Sequence, residues 1–334
     1  MNKQLLLYLA FLFAFLLTMG QTIPTKKEIL DHYGFEEHTL VEEQKEVLYY
    51  TYSTGEAPKT KLIMFLQGSH PSPQFSYQIK DGENQYLCWL HREFTKLPAE
   101  YLYVVVEKPG FEGVFNEDKI DVPQVYYEKN SLDLRVTSAD LVLRTLASQH
   151  NLEKMIVYGH SEGAPVAAKL ATVNQDISHL GFWAGNALPD FYDFILEGRF
   201  RVHAGEETHA KAQKDIDRTI SHFVNEIAKN PTDTKKDRFG YTNKRWASYA
   251  EPPINNLLKL DIPVFVQVAT NDESAPIEST YLIPLEFARL GNDNLSYNIC
   301  IDCDHGFYIT DKKGNRKSKW NEIFNTFLKW TETN

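Results

Sequence analysis

Cysteine is scarce, with three in 334 residues. A small disulfide scaffold carries a far larger share, so this chain folds on an apolar core instead. Positive charge is in deficit: 35 Lys+Arg face 45 Asp+Glu, for a formal charge of -10. A nucleic-acid binder usually presents a basic face, so no nucleic-acid partner is expected. Beyond residue 17 no apolar run approaches the roughly 18 residues of a membrane span. Repeats and low-complexity tracts are missing. So are a Gly-rich phosphate loop and a cluster of metal-ligand residues, and neither cofactor nor metal is expected. What remains is an ordinary globular profile, 43% hydrophobic and 24% charged, which excludes disordered and collagen-like chains. A chain this long buries roughly 75% of its unfolded surface and needs no staples.

The N-terminus reads MNKQLLLYLAFLFAFLLTMG. Lys3 precedes an apolar run at 5–17, the length of a signal-peptide core and short for a span. Cleavage after Gly20 is expected, giving a secreted or periplasmic protein without stable membrane insertion. The competing reading is an uncleaved anchor. Cys300 and Cys303 form a CxxC spacing at a strand end with no helix pattern following, which favours a structural disulfide or buried thiols over a redox pair.

The body of the chain alternates short apolar runs with amphipathic stretches. Strands are expected at 46–52, 61–66, 101–106, 154–158, 180–184, 263–269 and 296–301, and helices at 87–97, 132–150, 164–173, 277–290 and 320–330. Buried strands alternating with helices predict an α/β fold with a mostly parallel sheet covered on both faces. Residues 190–259 break the rhythm. This polar stretch is longer than a crossover requires and is expected to be a lid or cap within one domain spanning 21–334.

Gly159-His160-Ser161-Glu162-Gly163 follows a β-run and precedes a helix pattern. Small flanking residues permit the tight, strained turn that lifts a serine above a sheet. A serine hydroxyl needs a base, and the partners are expected downstream in the order acid, then histidine. Asp272 ends the 263–269 strand region, and His305 follows the next strand. Ser161 is therefore the candidate nucleophile, His305 the base and Asp272 its orienting acid, with Asp293, Asp302 and Asp304 as fallbacks. The oxyanion requires two backbone N–H groups. Glu162 offers one, and Ser69, in the Gln67-Gly68-Ser69 turn, offers the other. His160 sits in the elbow but turns away from Ser161; His70 is expected to line the pocket.

These residues together resemble the α/β-hydrolase superfamily over about 45–332, most strongly at the elbow, at Asp272 and at Asp304-His305-Gly306. The elbow is similar to that of bacterial esterases and serine-aminopeptidase-like hydrolases. The resemblance implies an eight-stranded sheet, a Ser-Asp-His triad and a lid at 190–259. The chain departs from the His-Gly oxyanion loop common in lipases. The expected substrate is a small or medium acyl ester. A short peptide is the alternative, with an aminopeptidase or prolyl-peptidase type activity in which Glu107, Glu162 and Glu273 are the candidates to hold a free amine. A binding protein that lost catalysis is the remote third reading. Lid aromatics serve the lid's own core or an acyl pocket, and Trp183 and Asn186 are candidates for the site mouth.

Overall fold

The structure, a computed structural model, describes residues 23–42 and 45–334; the expected signal peptide lies outside them. Among the described residues no helix is long and apolar enough to cross a membrane. Ten strands precede the histidine loop: β1 (Phe35–Glu42), β2 (Lys45–Tyr52), β3 (Lys61–Leu66), β4 (Phe75–Lys80), β5 (Glu83–Cys88), β6 (Tyr101–Val106), β7 (Lys154–His160), β8 (His179–Trp183), β9 (Val264–Ala269) and β10 (Leu295–Cys300). Eight of them form one sheet in the order β1-β2-β6-β3-β7-β8-β9-β10. From β6 to β10 every neighbouring pair is parallel, and β2 alone runs against its neighbours.

The continuous apolar strands are divided between two layers. Met155 and Val157 of β7 pack on one face of the sheet with Leu180 and Val266, while Ile156 and Tyr158 pack on the other with Ile63 and Phe265. Alternation of side chains along a strand turns one apolar run into two cores. The helices Leu132–Gln149 and Gly163–Val173 cover the first face, and Trp320–Thr333 covers the second. The first of these starts where Ser131 Oγ accepts the Leu134 N–H at 3.2 Å, an ordinary serine cap.

Three expectations change. The 87–97 helix is instead the end of the β4–β5 hairpin followed by one tight turn at Arg92–Lys96. Asp81 and Gly82 both adopt positive φ between those strands, so the hairpin closes on a two-residue Asp-Gly turn, a signal present in the sequence. β1 was likewise outside the expected strands. The 277–290 helix is two pieces, Ile277–Thr280 and Leu282–Leu290. Pro284 has no N–H for the Thr280 carbonyl four residues earlier, and its ring crowds that carbonyl.

Between β8 and β9 lie the helices Asp190–His203, His209–His222, Asn243–Ser248 and Pro253–Leu257. Phe191 meets Trp246 at 4.8 Å and Phe194 stacks on Phe239 at 4.7 Å. Asp237 accepts from Trp246 Nε1 at 2.8 Å and lies 3.0 Å from His222 Nε2. This segment therefore has a small aromatic core of its own. Cys300 and Cys303 form a disulfide, and Cys88 is free.

Candidate active site

β3, β7, β8 and β9 end along one edge of the sheet, and the site is assembled there. Ser161 follows β7 with φ +57°, a left-handed conformation that costs a non-glycine residue about 1–2 kcal/mol. Its N–H bonds the Trp183 carbonyl at the end of β8 at 3.0 Å, and its own carbonyl accepts from Ala164 at 2.9 Å. The flanking glycines are steric necessities. A Cβ on Gly159 would lie 1.9 Å from the Gly163 carbonyl oxygen, and one on Gly163 would lie 1.8 Å from that of Leu66. The turn is thus pressed against the end of β3 with no room for side chains.

His305 Nδ1 lies 2.9 and 2.8 Å from the two carboxylate oxygens of Asp272. Asp272 is buried, and its Oδ1 also accepts the Ser274 and Ala275 N–H groups at 2.9 and 2.7 Å. These bonds leave the proton on Nδ1 and the basic lone pair on Nε2. None of the fallback acids bonds His305: Asp304 Oδ1 accepts from Gly306 and Tyr308 and shapes the loop, while Asp293 and Asp302 are exposed. His160 does turn away from the nucleophile. Its Nε2 bonds the His305 carbonyl at 2.8 Å, and burial, then the neighbouring His305, hold its pKa well down, so a neutral ring braces the histidine loop.

Ser161, His305, Ser69 and Glu162 line one cavity of about 410 Å3. Ser161 and His305 share its wall, with no hydrogen bond between them. A Cβ on Gly68 would sit 3.2 Å from Ser161 Cβ, so the 67–70 loop packs directly on Ser161. The N–H groups of Ser69 and Glu162 have no protein acceptor among the described residues.

Side chains distant in the sequence hold that loop. Arg135 bonds the Gln67 carbonyl, Tyr126 Oη donates to the Ser69 carbonyl at 3.1 Å, and Lys108 bonds the His70 carbonyl. Gln67 Nε2 donates to the Val106 carbonyl at 2.7 Å. Arg135 also donates to Glu162 Oε1 at 2.8 Å, and Arg245 donates to Glu162 Oε2 through Nε at 2.9 Å and Nη2 at 2.5 Å. Arg245 Nη2 reaches Asp190 at 2.8 Å as well. Burial pushes the Glu162 carboxyl up, but Arg245 and then Arg135 outweigh it and hold it at about 2. One signal for Arg135 was legible: it shares the inward face of its helix with Leu132, Val136 and Ala139. Arg245, in a charged and turn-rich stretch, carried none.

The other candidate residues are distributed as follows in the structure. Both oxygens of Glu162 are engaged by two buried arginines, which offset its charge. Glu107 lies outside this cavity, where it accepts from Tyr50, Gln74 and Lys108. Glu273 and Asn186 do line the cavity, but Trp183 is fully buried in the core. His70 is not at the cavity; it stacks near Trp89 at 5.7 Å. Phe194, Phe239, Tyr241 and Trp246 of the lid face the cavity while serving the lid core. Three lid carboxylates, Asp190, Asp193 and Glu197, join Glu273 on the wall. Asp193 Oδ2 takes a bond from Asn186, and its Oδ1 is buried without a partner. Burial, then Asp190, push the Asp193 carboxyl up to about 8.

No protein-family model matches this sequence, and no curated protein does. Solved structures do match the fold. An acylaminoacyl peptidase of Pyrococcus horikoshii superposes with a TM-score of 0.53 at 13% identity, over 90% of this chain and 42% of that one. A puromycin-hydrolysing peptidase of Mycobacterium tuberculosis gives 0.50 at 14% identity, over 82% of this chain and 36% of its own. This chain therefore spans about two fifths of those peptidases. A Klebsiella pneumoniae protein assigned as a dienelactone hydrolase gives 0.51 at 13% identity, over 89% of this chain and 97% of that one. Identities this low speak for architecture alone. With an eight-stranded, mostly parallel sheet, helices on both faces and a tight strand-to-helix turn at the strand ends, the chain has the α/β-hydrolase fold.

Proposed function

We propose that the chain is a serine hydrolase that works through an acyl-enzyme, acting on small or medium carboxylic esters. The observation that carries this reading is one cavity wall holding Ser161 on a strained turn and His305 bonded through Nδ1 to buried Asp272. In this reading His305 Nε2 takes the Ser161 proton as Oγ attacks the acyl carbonyl. The tetrahedral oxyanion forms against the N–H groups of Glu162 and Ser69, each worth roughly 3–4 kcal/mol of transition-state stabilisation. The imidazolium, steadied by Asp272, returns the proton to the departing alcohol. Water then attacks the acyl-enzyme by the same route. The cavity volume of about 410 Å3 supports a small acyl group. The apolar run at 5–17 and the Cys300–Cys303 disulfide support export to an oxidising compartment.

A second reading, release of N-terminal residues from short peptides, is favoured by one observation: Asp190, Asp193, Glu197 and Glu273 all face the cavity. The positive charge of an incoming ammonium would favour loss of the Asp193 proton to water, and the carboxylate left behind would pair with it. The test is a panel of p-nitrophenyl esters of rising acyl length and aminoacyl-p-nitroanilides, run beside Ser161→Ala. Ester turnover that falls by roughly 10⁴-fold or more in the variant is expected. Retained turnover in Ser161→Ala would sink the mechanism, and anilide turnover without ester turnover would replace the first reading with the second.

A further inference from the structure

The cavity that holds Ser161 is not the most spacious among the described residues. A second, of about 770 Å3, is lined by Gln67, whereas Ser69 lines the first, so the 67–70 loop stands between them. The second cavity lies where the ends of β3 and β6 and the start of β2 meet the Leu132–Gln149 helix. We propose that it binds an organic anion with an apolar body, its carboxylate or phosphate head held by Lys108, Lys129 and Lys244.

The lining has two characters. Val47, Leu48, Leu66, Val106 and Leu134 form an apolar side. Lys45, Lys108, Lys129, Arg135 and Lys244 bring five cations, against the carboxylates of Glu46, Glu107 and Glu112. That balance is opposite to the chain's own, in which acids outnumber bases. Two of the three carboxylates are already engaged: Glu107 accepts from Tyr50, Gln74 and Lys108, and Glu112 Oε1 accepts from Gly110 at 2.9 Å. Glu46 is exposed.

The lysines, by contrast, are without counter-ions. Lys129 makes no hydrogen bond or ion pair among the described residues, Lys244 Nζ donates only to the Glu128 carbonyl at 2.7 Å, and Lys108 Nζ only to that of His70. Lys108 is buried at 4% exposure. Glu162 and Glu107 act on it from a distance but neither forms an ion pair with it; a buried ammonium left without a direct partner is costly, and an anion in the cavity would offset that cost. Its pKa is accordingly pushed down to about 7, by burial first and then by Arg135. Arg135 is less available, since Glu162 and Gln67 already hold its guanidinium. The helix N-terminus adds little either, because Leu132 and Leu134 donate to serine hydroxyls and Arg135 to the Ser131 carbonyl. The lysines are left as the ligand-facing donors.

The site does not depend on the hydrolase reading and is testable in Ser161→Ala. Octanoate and octyl phosphate are titrated into that full-length variant by calorimetry at fixed ionic strength, with octanol as the neutral control. One saturable site for octanoate, octyl phosphate or both is expected, with octanol much weaker. Which anion binds tighter assigns the head group. Adding Lys129→Ala and Lys244→Ala should weaken binding at least tenfold, while the same pair in the wild-type chain leaves ester turnover within twofold. Three results would each overturn the proposal: no saturable heat, octanol binding as well as the anions, or undiminished anion binding in the lysine variant, which would place the ligand in the other cavity.

Discussion

The strand ends and the lid bring residues to the same cavity by different means. Ser161 and Asp272 are placed by backbone: each lies within three residues of a β-strand end, and their neighbouring N–H and carbonyl groups bond to adjacent strands or turns. Gly159 and Gly163 supply the one side-chain requirement the Ser161 turn imposes, the absence of a Cβ. The lid is tied down by charge. Arg245 reaches across to Glu162, the residue after Ser161, and back to Asp190 on another helix of the 190–259 segment, with all but Asp190 nearly inaccessible to water. Its guanidinium also stacks over Tyr241 and Trp246 at 4.4 and 4.2 Å. A backbone-placed site tolerates change around it, whereas a charge-placed one fails when a single partner is removed, because the other is left buried and alone.

The largest effect that tests this contrast falls on the strand side, in chemistry alone. Asp272→Asn keeps the shape and removes the charge that fixes the His305 tautomer. Ester turnover should fall by about 10⁴-fold, with thermal stability little changed. A loss of tenfold or less in steady-state kinetics would show that another group orients the histidine. The next effect falls on the lid side, in stability. Arg245→Met leaves Glu162 with Arg135 alone, and breaking a buried pair this way costs about 3–5 kcal/mol. Urea unfolding should register that loss, whereas Lys169→Ala, which breaks the half-exposed Lys169–Glu251 pair at 3.0 Å, should cost less than about 1 kcal/mol. Equal costs for the two would mean that the buried bridge is no special tie.

The same contrast explains what could be read from the sequence. β3, β6, β7, β8 and β9 announce themselves as apolar runs because both faces of a central parallel strand are buried. The 159–163 turn and the acid-then-histidine order are local features attached to those runs, so they are legible too. β1 is not: Glu36, Glu37 and Glu42 leave it with one buried residue, Phe35, as an edge strand permits. The β4–β5 hairpin was legible through Asp81-Gly82 and was obscured by the apolar spacing of 87–97, which mimics a helix. The Arg135–Glu162–Arg245 bridge joins residues 27 and 83 positions apart. No local pattern encodes a contact of that range, and a Glu beside the elbow reads equally well as an oxyanion donor, an amine anchor or a surface charge.

The last effect concerns Asp193, a cavity carboxylate that the bridge does not reach. Asp193 is buried, next to Asp190, with one oxygen unpartnered, and its pKa of about 8 lies well above the roughly 3.9 of an unfolded aspartate. The folded chain therefore keeps a proton that the unfolded chain has lost. The stability this proton contributes is complete below pH 4 and is lost as pH rises through about 8. Asp193→Asn removes the titration and keeps the neutral shape, so the variant should lose less stability than the wild type between pH 5 and pH 8.5. The difference should be on the order of 1–3 kcal/mol, below the full shift because the residue borders a cavity open to water. Glu93 and Glu107, raised by burial to about 8 and about 7, contribute the same sign in both chains and cancel in the comparison. Urea midpoints at the two pH values decide it: equal losses would mean that Asp193 is already ionised at pH 5, with the Asn186 amide as the one bond its carboxylate accepts.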